Sequence, residues 1–203
     1  MSHSFYKVRY TTIISNDSPF VWNYSCDELE NILNTMLTGK TLKKVFSNLN
    51  GYLEGDGRTE NYYDFSYMGG TILLVFSEDI ALELDIHAEG MIAHRFHKVS
   101  GLTFQVAEDY PPDDMLLNDK YFFDLREEFA LALPFEGTQI LGVSVDGTST
   151  YAFSAKGFDK KKATLAMNRN KLPSNIHFAL DNGVKLSLLG DPIEYFNLAL
   201  EKV

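Results

Sequence analysis

The fold is decided by one stretch, residues 72–96, which reads ILLVFSEDIALELDIHAEGMIAHRF. The unbroken apolar run from Ile72 to Phe76 is typical of a strand that is buried on both faces. Residues Ala81 to His87 then alternate strictly between apolar and polar side chains, which is the period of a β-strand. A turn at Glu89-Gly90 leads into a further strand, Met91 to Phe96. This stretch therefore predicts an antiparallel meander of three strands joined by tight turns.

An amphipathic helix is predicted upstream of the meander, beginning after Ser25. Ser25 is a favourable N-cap, and Glu28 lies at the position that completes a capping box. Gly39 then provides a residue that tolerates positive φ at the helix end. The apolar residues between these limits recur with helical spacing and form one stripe: Leu29, Ile32, Leu33, Met36 and Leu37. Further strands are predicted at Phe5 to Ile14, Leu42 to Leu49 and Tyr62 to Tyr67.

The second half of the chain carries a second set of helix and strand signals. Residues 106–119 are acidic and contain Pro111-Pro112, so we expect a linker there. Residues 192–202 stay open between two structures, because correspondence with the first meander favours a strand and Asp191-Pro192 favours the start of a helix. The other elements predicted in this half are a helix from Asp124 to Leu133 and strands from Asn175 to Leu180 and from Val184 to Leu189.

The two halves of the sequence resemble each other. A shift of 98 residues lays Gly39 on Gly137, and a shift of 102 residues lays Phe76 on Phe178. We therefore predict an α+β fold of mainly antiparallel sheet, in which a helix-plus-meander unit is duplicated with approximate two-fold symmetry. The chain is expected to be one compact unit, residues 1–203, with repeats at 25–105 and 120–203.

The composition limits the classes of partner. The chain has 28 acidic and 18 basic residues and a net charge of −10, which disfavours nucleic-acid binding and favours a basic protein partner. The single cysteine, Cys26, excludes an intrachain disulfide. The N-terminal residues contain no apolar h-region and no apolar run approaches about 18 residues, so we expect a cytoplasmic protein without a membrane segment. A homodimer is compatible with these features.

Polar residues on one predicted strand form the candidate reactive set. Glu83, Asp85, His87 and Glu89 lie at every second position, so we expect them to share one face of the strand. Carboxylates and imidazoles serve as acids, bases or metal ligands, and His94 or His97 from the next strand would complete a metal set, with Asp85, His87 and His94 as the candidate ligands. The alternative is that this face is polar only because it is exposed to solvent. No cofactor motif is recognised, so none is expected.

Aromatic residues supply a second candidate surface. Tyr63, Phe65 and Tyr67 alternate along a predicted strand and are expected on one face. If that face belongs to the core, these residues only contribute packing. If it is exposed, Tyr63 and Tyr67 together with Trp22 have the character of a protein-binding hot spot.

Two classes of function follow from these features. The first is a non-catalytic interaction module that binds a protein partner through an acidic or aromatic surface, as a neutralising (immunity-type) protein or an adaptor does. The alternative is a small metal-dependent or acid–base enzyme that uses Glu83, Asp85, His87 and Glu89. No Gly-x-Ser-x-Gly segment occurs, so the nucleophile elbow of an α/β-hydrolase is not expected. We favour the interaction module, because no recognised catalytic motif is present.

Overall fold

The computed structural model describes residues 3–15, 25–48, 62–68, 71–87, 91–107, 119–125, 134–147, 173–191 and 195–203. Within these ranges the chain is mostly antiparallel β-sheet with one α-helix. None of the described residues belongs to a helix long and apolar enough to cross a lipid bilayer. The elements in chain order are β1 (His3–Ser15), α1 (Cys26–Leu37), β2 (Leu42–Ser47), β3 (Tyr62–Met68), β4 (Thr71–Phe76), β5 (Ile80–His87), β6 (Met91–Ala107), β7 (Asp119–Asp124), β8 (Ile140–Asp146), β9 (Asn175–Leu180), β10 (Val184–Asp191) and β11 (Tyr195–Lys202).

The first predicted helix is confirmed, with Ser25 as the N-cap of α1. The Ser25 backbone N–H donates to the Glu28 carboxylate at 2.8 Å, and the Glu28 backbone N–H donates to Ser25 Oγ at 3.1 Å. This reciprocal bonding is a capping box. Gly39 follows the helix with a φ of +82°. Most of the second predicted helix lies outside the described residues, and its first residue, Asp124, is the last residue of β7.

Six strands close into a barrel in the order β1-β6-β5-β4-β2-β7, with β7 pairing back onto β1. The sequence pattern does not predict β7, because it assigns the beginning of this strand to the linker and the end to the second helix. β6 has 17 residues and runs well beyond its predicted end at Phe96, because it pairs with β1 as far as Ala107. Val106 and Ala107, expected in the linker, are therefore part of a strand.

The other five strands form a second antiparallel sheet in the order β3-β11-β10-β9-β8. Residues Tyr195 to Lys202 are a strand, which answers the question that the sequence leaves open for this segment. β11 pairs with β10 along its whole length, from the pair Asp191↔Tyr195 to the pair Val184↔Lys202. This long-range pairing outweighs the local helix-start signal, as tertiary context commonly does.

Two apolar cores result from this arrangement. Leu73 and Val75 of β4 face the barrel interior, while their neighbours Leu74 and Phe76 face the second sheet. β4 is therefore buried on both faces, as its unbroken apolar run predicts. The smaller core fills the barrel and consists of Val8, Phe46, Leu73, Val75, Ala81 and Phe122. The larger core lies between the two sheets and α1, and includes Leu33, Ile72, Leu74, Phe76, Leu84, Ile176, Phe178 and Leu188.

Strand pairs in the first sheet and in the second sheet have registers that are related by constant differences in residue number. β2 pairs with β4 through Leu42↔Phe76, and β8 pairs with β9 through Ile140↔Leu180, each with an irregularity directly after this pair. Ile140 of β8 is 98 residues after Leu42 of β2, and Leu180 of β9 is 104 residues after Phe76 of β4. The same offset of 104 relates the pairing of β5 with β6 to that of β10 with β11. The sequence comparison gives 102 for this part, and the two offsets produce the same apolar pattern because a shift of two residues preserves the faces of a strand.

Candidate functional site

A polar cluster lies inside the barrel, beside the smaller core. Glu83 is two residues after Ala81 on β5, so it shares the inward face of that core residue. The register of β5 with β6 places Arg95 opposite Glu83 and His97 opposite Ala81. Tyr10 belongs to β1, on the other side of β6. The inward faces of three neighbouring strands thus bring four polar side chains together.

The carboxylate of Glu83 is the centre of this cluster, and the residue is 1% exposed. Its Oε2 accepts hydrogen bonds from the Tyr10 hydroxyl at 2.5 Å and from His97 Nε2 at 3.0 Å. Its Oε1 accepts from the Arg95 guanidinium at 2.6 Å. The Tyr10 ring also stacks on His97, with 4.0 Å between the ring centroids. Thr12 Oγ1, 3.1 Å from His97 Nδ1, engages the second ring nitrogen.

Asp85 extends the cluster toward solvent. Arg95 bridges the carboxylates of Glu83 and Asp85, and the Thr71 hydroxyl donates to Asp85 Oδ1 at 2.5 Å. The side chains of Arg95 and Asp85 are 21% and 17% exposed, whereas Glu83 is sealed from water. The Arg95 guanidinium therefore forms ion pairs with the buried carboxylate of Glu83 and with the partly exposed carboxylate of Asp85.

The hydrogen bonds determine which protonation states the cluster holds. Burial and the neighbouring Glu83 carboxylate raise the pKa of Tyr10 far above its ordinary value, so Tyr10 remains a donor. Three donors on one carboxylate favour its ionised form. An ionised carboxylate has no proton to donate, and one that is stabilised by three donors is a weak base, so an acid–base role would require one of these donors to leave. The arrangement is that of a buried ion network, in which replacement donors offset the loss of water.

The predicted reactive residues do not all lie on a solvent-exposed strand face. The expectation of a solvent-exposed face is wrong for Glu83, which is buried because the sheet closes into a barrel. Asp85 does share the face of Glu83 and joins it through Arg95. His87 is the last residue of β5, opposite Met91. Glu89 lies outside the described residues.

The structure does not bring the predicted metal set, Asp85, His87 and His94, onto one face. Asp85 pairs with Ala93, and the next pair, Leu84↔His94, faces the other way, toward the larger core. Burial in that position lowers the pKa of His94. Among the residues that the structure describes, no group of three or more His, Cys, Asp or Glu side chains could hold a metal ion.

The predicted aromatic surface is only partly within the described residues. Tyr63 and Tyr67 lie in β3, and Trp22 lies outside the described residues. β3 pairs with β11, and the register sets Tyr63 opposite Leu200. Leu200 belongs to the larger core.

An exposed apolar surface that is not among the sequence predictions lies on the C-terminal part of β6. Leu102, Phe104 and Val106 are 40%, 50% and 58% exposed, and their spacing puts them on one face. We call these three residues the apolar stripe. β5 pairs with β6 only as far as Lys98, so the stripe lies beyond the end of β5. The Phe104 ring packs edge-on against Tyr6, with 5.3 Å between centroids.

A hydrogen-bonded row of three polar side chains, also absent from the sequence predictions, crosses three strands of the second sheet. Ser187 Oγ on β10 lies 2.7 Å from His177 Nδ1 on β9. His177 Nε2 lies 3.0 Å from Asp146 Oδ2 at the end of β8. The three residues are 31 and 10 positions apart in the chain, so no local motif indicates their contact. Only the register of the sheet brings them together.

Comparison of the chain with protein-family models, with curated proteins and with solved structures gives no match. These comparisons assign the chain to no family. Its function is therefore inferred from the polar clusters and the exposed apolar surface alone.

Proposed function

We propose that the protein is an interaction module that binds a basic protein partner through the apolar stripe. The observation that carries this proposal is the exposure of Leu102, Phe104 and Val106 on one strand face. Adjacent exposed apolar side chains mark sites of protein interaction. Phe104 stands at the centre of the stripe, and large aromatic side chains supply much of the area buried at interfaces.

The charge of the chain favours a basic partner. The net charge is −10. Charge of this sign speeds the approach of a positive partner and orients it, while apolar contacts supply the burial that holds the complex. A neutralising (immunity-type) or adaptor role in the cytoplasm fits this pattern. Acidic residues also follow the stripe directly in the sequence, at Glu108, Asp109, Asp113 and Asp114.

The alternative proposal, an enzyme that uses Glu83 and its neighbours on β5, has weaker support. Glu83 is buried and accepts hydrogen bonds from three side chains, which stabilise its charge instead of preparing it for proton transfer. Asp85 is more accessible, but it is paired with the same Arg95.

We also infer that the fold arose by duplication of the helix-plus-meander unit, with the repeats defined above. The matching strand registers support this inference. The contacts between the two units support it as well, because they occur in equivalent pairs. The Gly39 N–H donates to the Ile140 carbonyl at 2.8 Å, and the Gly137 N–H donates to the Leu42 carbonyl at 2.6 Å. Each residue in the second bond is the counterpart, 98 positions away, of a residue in the first.

A pair of photo-crosslinking substitutions tests the proposed interface. One crosslinking amino acid is placed at Phe104, and the matched control is placed at Leu141, which is 58% exposed on β8 in the other sheet. We expect position 104, but not position 141, to crosslink one basic protein in a native extract. The affinity of that protein is then measured with purified components for the double variant Leu102→Thr/Phe104→Ser and for Leu141→Thr.

We expect the stripe variant to raise the dissociation constant at least about tenfold, because truncating a hot-spot side chain costs more than about 1.4 kcal/mol of binding free energy. Leu141→Thr should leave the dissociation constant unchanged. Rising salt should weaken the complex as well. Equal affinity of the stripe variant and the wild type would overturn the proposal, and so would an acidic partner. A crosslink only to a second copy of this chain would replace the basic partner by a homodimer.

A further inference from the structure

The hydrogen-bonded row of Ser187, His177 and Asp146 lies on the outer face of the second sheet. His177 on the central strand of the three is paired with Ser187 on one side and with Ser144 on the other. Asp146 is two residues beyond Ser144 and therefore on the same face. Ile176, the neighbour of His177, points into the larger core, so the imidazole points away from it.

The hydrogen bonds fix the tautomer of His177. An ionised carboxylate can only accept, so Nε2, at 3.0 Å from Asp146 Oδ2, carries the ring proton. Nδ1 of the neutral imidazole is then an acceptor, and the Ser187 hydroxyl, at 2.7 Å, donates to it. Asn175 Nδ2 donates to the other oxygen of Asp146 at 2.5 Å and holds the carboxylate in place. The serine proton thus points at the lone pair that can remove it.

We propose that Ser187, His177 and Asp146 form a nucleophile–base–carboxylate triad that hydrolyses small esters with good leaving groups. The nucleophile lies within hydrogen-bond reach of its base, and a third group orients the base, which are the relations that define such a triad. A triad is recognised by geometry and roles, so it does not depend on a Gly-x-Ser-x-Gly elbow. The activity is separate from partner binding at the apolar stripe, and it departs from the expectation of a non-catalytic chain.

The reaction proceeds by acyl transfer to the serine. Ser187 Oγ attacks the ester carbonyl carbon while its proton passes to His177 Nδ1. The tetrahedral intermediate collapses, the bond to the leaving oxygen breaks, and the alcohol departs with the proton held by His177. Water then attacks the acyl-serine with His177 as base. This step releases the carboxylic acid and restores the serine hydroxyl, so the sum is ester plus water giving acid plus alcohol.

Burial and backbone pairing limit the substrate class. Ser187 is 4% exposed, which restricts the substrate to an ester with a short acyl group. β10 pairs with a strand on each side, which commits its backbone N–H groups to the ladders instead of to an oxyanion. Activated aryl esters place the least demand on oxyanion stabilisation, because their leaving group departs easily.

The test combines active-site labelling with turnover in the full-length protein. We expect a fluorophosphonate probe to add once per chain, and peptide mass spectrometry of the wild type to locate the adduct on Ser187. Hydrolysis of 4-nitrophenyl acetate should fall at least about 100-fold in Ser187→Ala, since general-base activation of a nucleophile contributes at least this much. Ser144→Ala removes an exposed hydroxyl from the same sheet face and should leave the rate within about twofold.

The variant Asp146→Asn separates a positioning role from a structural one. An asparagine amide can donate to Nε2, which selects the other tautomer and leaves Nδ1 protonated and unable to accept from Ser187. The rate should therefore fall while the melting temperature stays the same, because Asp146 is largely exposed. Mapping the adduct to another residue, or finding neither adduct nor hydrolysis above the buffer rate in the wild type, would overturn the proposal. Neither result depends on whether a variant folds.

Discussion

Tyr10 and Glu83 show what constrains a single side chain inside the barrel. Moving a carboxylate out of water costs several kcal/mol unless protein donors replace the lost water. Glu83 obtains such donors from Tyr10, Arg95 and His97, and each of them depends on pairing between strands. The buried charge of Glu83 is therefore stabilised only when the barrel is closed. The hydroxyl of Tyr10 is one of the donors that stabilise it.

The first prediction concerns Tyr10 and the alkaline pH range. Burial and Glu83 raise the pKa of Tyr10 in the folded chain, whereas a tyrosine in the unfolded chain loses its proton near pH 10. Above about pH 10 the folded chain therefore holds a proton that the unfolded chain has released. The free energy of unfolding should fall as pH rises, with a contribution from Tyr10 of at most about 1.4 kcal/mol per pH unit.

Denaturant unfolding of the wild type and Tyr10→Phe at about pH 8 and pH 11 measures this contribution. At the lower pH we expect Tyr10→Phe to be less stable by about 1.5–3 kcal/mol, because it loses a hydrogen bond to a charged acceptor. The difference should narrow at the higher pH. A constant difference across this range would show that Tyr10 titrates normally in the folded chain.

At the scale of secondary structure elements, α1 protects the edge of β8. Asn34 Nδ2 donates to the Val143 carbonyl at 2.6 Å, and Asn34 Oδ1 accepts from the Val143 N–H at 2.8 Å. The Glu30 carboxylate accepts from the Val145 N–H at 2.9 Å. Side chains of a helix thus take the place of a neighbouring strand, which prevents the edge from pairing with another chain.

The variant Asn34→Ala should lower the free energy of unfolding by about 2 kcal/mol, because it leaves a backbone donor and a backbone acceptor of Val143 without this partner. Thr35→Ala is the matched control, since Thr35 is exposed one residue further along the same helix and should change stability by less than about 0.5 kcal/mol. Chemical denaturation measures both values. Equal effects of the two variants would show that the edge bonds contribute little.

The hairpins β4–β5 and β9–β10, which correspond under the proposed duplication, differ in how they form their turns. The last residue before the second strand has positive φ in both, with +58° at Asp79 between β4 and β5 and +76° at Gly183 between β9 and β10. Glycine adopts this conformation without the steric cost that a side chain carries. The second hairpin therefore has the residue that the geometry favours, and the first does not.

Exchanging these turn residues should have opposite effects. We expect Asp79→Gly to raise the free energy of unfolding by about 0.5–1 kcal/mol and Gly183→Asp to lower it by a similar amount. The loss of the exposed ion pair between Lys98 and Asp79, at 3.9 Å, is too weak to reverse the first effect. Thermal unfolding of both variants provides the measurement. A loss of stability in Asp79→Gly would contradict the strain argument.

Local signals in the sequence predicted those elements whose stability is decided locally. The capping box and the helical spacing of apolar residues predict α1, and strict alternation predicts β5, because these patterns act over about a dozen residues or fewer. The sequence does not predict β7, because this strand is held by pairing with β1, through Tyr6↔Phe122, across more than 100 residues of chain. Its own sequence, residues 119–124, carries no clear strand period.

The candidate sites were predictable to a smaller extent, and the reason belongs to the whole molecule. Alternation places Glu83 and Asp85 on one face of β5, but only barrel closure decides that this face is inside. The contact of His177 with Ser187 and Asp146 requires the register of three strands. The apolar stripe could have been found from the alternation of Leu102, Phe104 and Val106, which continues past the predicted end of the strand.

The two proposed repeats contact each other around residues 39–42 and 137–140. Thr41 forms an isolated antiparallel β-bridge with Gln139. Gln139 is 98 residues further on, so it is the counterpart of Thr41 under the proposed duplication. Gly39 and Gly137, beside this bridge, have φ values of +82° and +81°. Under the proposed duplication a two-fold axis would pass through this bridge, and matched changes on either side of it should have matched effects.

Alanine at Gly39 and at Gly137 tests this relation. No atom of the described residues lies within 4 Å of a Cβ built at either position, so the expected loss comes from the positive φ alone. We expect each variant to lower the free energy of unfolding by about 1 kcal/mol, with closely similar values. Gly101→Ala is the control, because its Cβ would make only an ordinary 3.6 Å contact with Arg9 and its φ is not positive. Denaturant titration of the three variants gives the comparison. Losses at Gly39 and Gly137 that differ by more than about 1 kcal/mol would show that the two segments are not energetically equivalent, whatever their geometry.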